Sequence, residues 1–319
     1  MKKSILASVL ILGASPCFAD ENVDFTLSTG VQNINGVQVS YNFDVDENEL
    51  IKSEDSATGL YADAILGFEL DSNSYVSGSF FGSKPKVTLG FGYAGYRAEA
   101  NSTLIPAGGN SPLDVNGNVI ATNFLGGTFI SKFQQTQYEL GAALNGELET
   151  DDLFAPVVGF FVRSKSQEHE VLARYTSQPN NPRSQMDSNL NSRSAGLSLG
   201  ANLQSPDYAG IRFTASPMVK VSYAKSNLKT VQDKNGNIAG VANGVTRTDS
   251  QHHIVVEPSL TLGMNYQIDN ITIGAEIFGA YLYGDALIQL SEREGQPARI
   301  DTDNDAYAYG GGLFLRMKF

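Results

Sequence analysis

The end of the chain reads as a strand with two unlike faces. Tyr307, Tyr309, Gly311, Leu313, Leu315, Met317 and Phe319 alternate with Ala306, Ala308, Gly310, Gly312, Phe314, Arg316 and Lys318. Side chains of an extended backbone point alternately to opposite sides, so a period of two separates an apolar face from a small and polar one. The pattern recurs upstream. Ile271, Ile273, Ala275, Ile277, Gly279, Tyr281 and Tyr283 oppose Thr272, Gly274, Glu276 and Ala280. Ile254, Val256, Pro258, Leu260, Leu262 and Met264 oppose His253, Glu257, Ser259 and Thr261. Ile211, Phe213, Val219 and Val221 oppose Arg212, Thr214, Ser216 and Lys220, and Ala195, Leu197, Leu199, Ala201 and Leu203 oppose serine, glycine and asparagine. Each run is about ten residues, the length with which a tilted strand crosses a bilayer.

The start of the chain adds a destination. Met1-Lys2-Lys3, an uncharged stretch from Ile5 to Gly13 and the small Ala19 before Asp20 read as a secretory signal peptide, residues 1–19, leaving 20–319 as one β-barrel domain. The apolar stretch is shorter than the roughly 20 residues of a spanning helix. Cys17 is the only cysteine and lies in the segment removed, which excludes disulfides, cysteine metal sites and thiol catalysis from the mature chain. Loss of Lys2 and Lys3 takes the net charge from −12 to −14, with no electrostatic footprint for nucleic acid. Two classes remain, a soluble β protein and a membrane barrel. The barrel is the better fit, because the apolar face recurs on nearly every strand and tyrosines gather near strand ends, as interface girdles do.

Connections alternate in length. Asp269-Asn270, Gln204 to Gly210 and Glu149 to Asp152 are short, whereas Asn101 to Asn118, Thr176 to Asn189, Asn227 to Asp249 and Asp285 to Asn304 are long and polar. Short periplasmic turns and long outer loops belong to transmembrane barrels. Asn116-Gly117 and Asn235-Gly236 favour hairpin turns, so those loops are expected to rise as strand ribbons. Strand number depends on three interruptions, at Asp71 to Asn73, Ser83 to Pro85 and Phe133 to Gln135. With the first and third read as kinks the count is ten, and with both read as turns it is twelve. Further splits at Asn35-Gly36 and near Ser166 give fourteen. Twelve is the expected count, in an all-β, antiparallel up-and-down barrel of the outer membrane.

The run Leu313-x-Leu315-x-Met317-x-Phe319 resembles the C-terminal assembly signal of bacterial outer-membrane β-barrel proteins. In that superfamily the last residue is aromatic and alternate residues before it are apolar. Met317 stands where a second aromatic is common. The resemblance implies insertion by the barrel-assembly machinery, with outer-membrane lipid and lipopolysaccharide as surroundings; the sequence carries no glycine-rich nucleotide motif or cofactor site, so no cofactor is expected.

Candidate chemistry is sparse. Barrel lipases use a His-x-Ser pair and barrel proteases an Asp-x-His pair, and neither pattern surrounds His169, His252 or His253. His169, between Glu168 and Glu170, reads as a solvated loop or strand-end residue. His252 and His253 point to opposite sides of any strand that holds them. Asp301-Thr302-Asp303-Asn304-Asp305 starts like a calcium loop but has Ala306 where glycine is required, so no metal site is assigned. Arg212, Lys220, Glu257, Glu276, Arg316 and Lys318 all fall on the non-lipid face. They are candidate lumen residues, with Glu276 and Arg316 expected at similar depth in a charged layer near the periplasmic mouth. The leading functional expectation is a porin-like passive channel for small solutes. The alternative is a closed barrel whose loops bind a surface partner, and an outer-membrane enzyme comes third.

Overall fold

The computed structural model describes residues 23–37, 56–70, 81, 85–101, 114–118, 127–146, 154–175, 183–235, 243–290, 295–303 and 305–319. Ten long strands close into one antiparallel barrel: β1 (Val23–Asn35), β2 (Ser56–Glu69), β3 (Lys86–Asn101), β4 (Gly127–Asn145), β5 (Phe154–Tyr175), β6 (Arg183–Gln204), β7 (Ile211–Asn235), β8 (Val245–Ile268), β9 (Ile271–Leu282) and β12 (Ala306–Lys318). Two short strands, β10 (Leu287–Gln289) and β11 (Arg299–Asp301), pair only with each other. Each long strand pairs with its sequence neighbour, and β12 closes on β1 from Asp24↔Lys318 to Asn35↔Tyr307. Closure removes the unpaired edges that hydrocarbon would not tolerate. The N–H of Phe319 donates to Val23 O at 2.8 Å, so the last residue sits at the closing seam.

The count is ten rather than twelve. Phe133 to Gln135 lies inside continuous β4, whose pairing with β5 runs unbroken from Gly127 to Asn145, and Ser166 lies inside continuous β5. Asp71 to Asn73 and residues 1–19 lie outside the described residues. Two of the expected loops are in part strand: 183–189 belongs to β6, while 227–235 and 245–249 belong to β7 and β8. Polar residues alternate there too; 183–189 and 227–232 are paired along both backbone edges, whereas 233–235 pair only with β6 and 245–249 only with β7.

The barrel has unequal walls. β9 and β12 have 12 and 13 residues, whereas β5, β6, β7 and β8 have 22 to 25. At about 3.3 Å per residue the tall wall runs roughly 70 to 80 Å along its strands, against about 40 Å on the short side. Around the end that carries the termini and short turns, the outward residues form an exposed apolar belt that includes Leu60, Phe91, Leu140, Phe160, Leu199, Val221, Leu262, Ile277 and Leu313. Phe154, Tyr266 and Phe319 rim it on the terminal side, and Tyr138, Tyr223, Tyr281 and Tyr307 rim it on the other. An apolar belt between aromatic girdles on a closed antiparallel barrel is an outer-membrane surface.

Candidate functional site: the filled lumen

The inward residues of the belt region form two ionic layers. Nearest the termini, Asp24 on β1 receives Lys86 at 2.5 Å and also pairs with Arg316, while Glu69 lies 3.9 Å from Lys86. Deeper in, Lys220 reaches Glu139 at 2.6 Å, and Arg163 bridges Glu139 and Glu257, each at 2.7 Å. This second layer ties β4, β5, β7 and β8 together across the lumen. The packing is aromatic as well as ionic, because the Arg163 guanidinium and the Lys220 ammonium each sit 5.3 Å from the Phe161 ring centroid.

On the opposite wall one rung explains how a side chain spans four strands. Tyr61, Gly30, Gly312 and Glu276 are successive register partners on β2, β1, β12 and β9. The tyrosine lies across both glycines and donates its hydroxyl to Glu276 Oε1 at 3.0 Å. A Cβ at Gly30 would stand 2.6 Å from the Tyr61 ring, and one at Gly312 2.5 Å from its Oη. Between these groups lies a cavity of about 420 Å³ whose lining includes Tyr61, Asp63, Glu139, Arg163, Glu257 and Glu276.

The six charged residues singled out from the sequence do not share one layer. Lys220 and Glu257 face each other across β7 and β8 and join the second layer. Arg316 is partner to Thr272, and Glu276 to Gly312. Arg316 and Glu276 are therefore four residues apart along the wall, roughly 13 Å at strand spacing, and the expectation of equal depth fails. Strand register, which residue counts from different turns do not give, sets that offset. Arg212 is held by Asp207 of the β6–β7 turn at 3.2 Å, and Lys318 is exposed at the terminal rim. Asp24, Lys86, Glu139 and Arg163 complete the two layers. Their signal was present in the alternation, since Glu139 lies between outward Tyr138 and Leu140.

Above the belt the lumen is packed with apolar side chains. Phe129 and Phe133 on β4 and Val171, Met186, Leu190 and Leu228 on the tall wall's inner face form one buried cluster with Ala286, Leu287, Ile288, Leu290 and Ile300. The last five come from the β9–β12 connection, which turns inward as a β10–β11 hairpin where the sequence suggested an outer loop. It is pinned at both ends. Lys165 donates to Asp285 at 2.6 Å and to Ala286 O at 2.8 Å, and Gln167 to Ala286 O at 3.2 Å. Gln251 donates to Ile300 O at 3.1 Å, and the Ile300 N–H to Asp249 at 3.0 Å. The ribbon expected around Asn116-Gly117 would fall on 102–113 and 119–126, which lie outside the described residues, but the turn itself is described. It packs on the plug, with Ala298 donating to Val115 O and Gly295 to Gly117 O, while the Val115 N–H donates to Gln232. Burial lowers the Lys165 pKa, and the adjacent Asp285 carboxylate opposes that shift.

The histidines are all accounted for. His169 is not solvated. It is 1% exposed inside β5, its Nε2 2.7 Å from the Oγ of Ser131, which is 0% exposed. This Ser–His contact has no solvent access. Burial holds the His169 pKa down to about 4. His252 faces outward and stacks on Tyr223, whereas His253 falls on the inward face.

No protein-family model matches the chain, and no curated protein matches it. Similar solved structures include the outer membrane protease OmpT from Escherichia coli, at 9% identity and a TM-score of 0.41, covering 96% of this chain and 99% of that one. The transport unit of the autotransporter AIDA-I from Escherichia coli aligns at 8% identity and a TM-score of 0.37, covering 97% and 94%. The translocator domain of the autotransporter NalP from Neisseria meningitidis aligns at 11% identity and 0.35, covering 94% and 90%. No activity is carried over at these values.

Proposed function

We propose that the protein is an outer-membrane barrel with a closed lumen, whose tall wall presents a surface to partners outside the cell. The observation that carries this reading is the plug: Ala286, Leu287, Ile288, Leu290 and Ile300 fill the upper lumen at 0 to 3% exposure, locked by Lys165. A water-filled path has no need of a packed apolar core. The outward face of the tall wall is polar above the belt, which suits a solvated platform. Leu313, Leu315, Met317 and Phe319 face outward on the closing strand, where the assembly machinery would read them during insertion. The reading assigns no catalytic step. Purified protein in planar bilayers is expected to show no steady conductance, and a stable ohmic channel would overturn the closed-lumen reading.

The 420 Å³ cavity favours a second reading, a porin-like path for small solutes that the plug gates. Asp63, Glu139, Glu257 and Glu276 line that cavity with only Arg163 and Lys220 as cations. Replacing residues 286–298 by a short linker would then give a channel that prefers cations over anions. A shortened barrel that remains non-conducting removes this second reading.

A further inference from the structure

We infer that the outer face of β6–β8, one rung above the tyrosine girdle, is a binding site for the phosphate groups of an anionic glycolipid in the outer leaflet. Arg193, Lys225 and His252 are direct register partners on three adjacent strands, side by side and exposed. The rung beneath them holds Ala195, Tyr223 and Ile254, the upper edge of the apolar belt. The three nitrogen-bearing groups therefore stand at headgroup height. Two observations separate this row from an ordinary solvated face.

First, the row carries an unrelieved like-charge contact. Like charges directly opposite on neighbouring strands repel. Among the described residues, neither Arg193, Lys225 nor the nearby Lys229 forms an ion pair. The outward neighbours on the next rung are Asn191, Asn227 and Ser250, which are neutral. The contrast lies on the neighbouring strands. On β3–β5 the outward Arg97 and Lys132 are interleaved with Glu99, Glu168 and Glu170. Acids stand beside those cations, whereas the Arg193–Lys225 row has none on its own rung or the next, and the outward Asp187 and Asp233 lie three and four rungs further along, so the row's charge is open to an external anion.

Second, the row is pre-shaped. Tyr223 stacks on His252 with ring centroids 5.6 Å apart, and its Oη lies 2.9 Å from Nδ1. This fixes the imidazole and leaves Nε2 free to face a ligand. An arginine fork beside a lysine is suited to phosphate oxygens, and tyrosine below it to the sugar and acyl boundary. The site is thus apolar at its foot and cationic at its head, matching an amphiphile with a phosphorylated headgroup. This inference depends on the bilayer placement of the belt and not on whether the lumen is closed.

The test uses the full chain in detergent and measures affinity for phosphorylated lipopolysaccharide, for the same lipid dephosphorylated, and for inorganic phosphate. The expected result is a clear preference for the phosphorylated lipid. The variant Arg193→Gln/Lys225→Gln is expected to lose roughly 30-fold, from about a tenfold or smaller loss per removed cation at a lipid surface. Lys132→Gln on the balanced panel should leave affinity unchanged, and circular dichroism should show the same sheet in every variant. Equal binding by the double variant would overturn the site. Equal affinity for the dephosphorylated lipid, or binding of inorganic phosphate as tight as that of the lipid, would overturn the glycolipid assignment.

Discussion

The two halves of the tall wall use one strand phase for opposite purposes. On β5, Val158, Phe160 and Val162 point outward and are exposed in the belt, with Arg163 inward. Further along the same strand Glu168 and Glu170 point outward, and Val171 and Ala173 point inward and are buried. The alternation never slips, yet its polarity inverts where the surroundings change from hydrocarbon to water. In the belt the apolar side meets lipid and the lumen is ionic. Above it the wall behaves like a water-soluble sheet that needs a core, and the β9–β12 connection supplies one. Hydrophobic burial drives the plug into place only where the wall has left the bilayer.

The most severe way to break the upper half is Leu190→Asp. Leu190 is 0% exposed on the inner wall, so the substitution combines a lost apolar side chain with a buried charge, costing about 5 kcal/mol. Hydrogen exchange is expected to show the upper strands and the plug opening while the belt strands stay protected. If both halves lose protection together, they are one cooperative unit. Lys165→Ala leaves Asp285 buried and unpaired, at a cost of about 4 kcal/mol, and protease cleavage within the plug should rise. The double change Lys165→Met/Asp285→Leu should restore resistance.

In the belt the matching perturbation is outward. Leu199→Arg faces lipid near the middle of the β6 apolar run and should cost about 3 kcal/mol in refolding into vesicles. Acid is a fourth lever, and in the upper half it acts through His169. His169 is neutral when folded, with a pKa near 4, and protonates near 6.5 when unfolded. Between these values the unfolded chain binds the extra proton. Stability is therefore fully present above pH 6.5 and falls as pH drops towards 4, by up to about 3 kcal/mol. Denaturation at pH 7 and 4.5 measures it, and His169→Phe should flatten the dependence. The smallest effect is expected from Thr248→Ala, on the wall's exposed outer face, within about 0.5 kcal/mol by the same denaturation assay.

The candidate site was legible in part. Lys220 and Glu257 were readable because Val219, Val221, Pro258 and Leu260 flank them in clear phase. Asp285 and Lys165 were not. A local period says which side of a strand a residue takes, but nothing about a connection folding back into the barrel from 120 residues away. One trace was present: Ala286, Leu287, Ile288 and Leu290 form an apolar knot inside a stretch otherwise read as an outer loop. His169 was misread for a related reason, since its flanking glutamates describe the outer face of β5 and not its own.

By itself the sequence determined the period of two, the face that meets lipid and the extended β class, because these depend only on neighbouring residues and the alternation of Cβ directions. The number of strands, the depth at which each lumen charge sits and the closing of the upper lumen were decided by tertiary structure. Each depends on register between strands and on contacts between distant segments. The strand that ends in Phe319 shows both sides of this division. Its alternation assigns Met317 to lipid and Arg316 to the lumen, but only closure onto β1 places Arg316 against Asp24, 292 residues away.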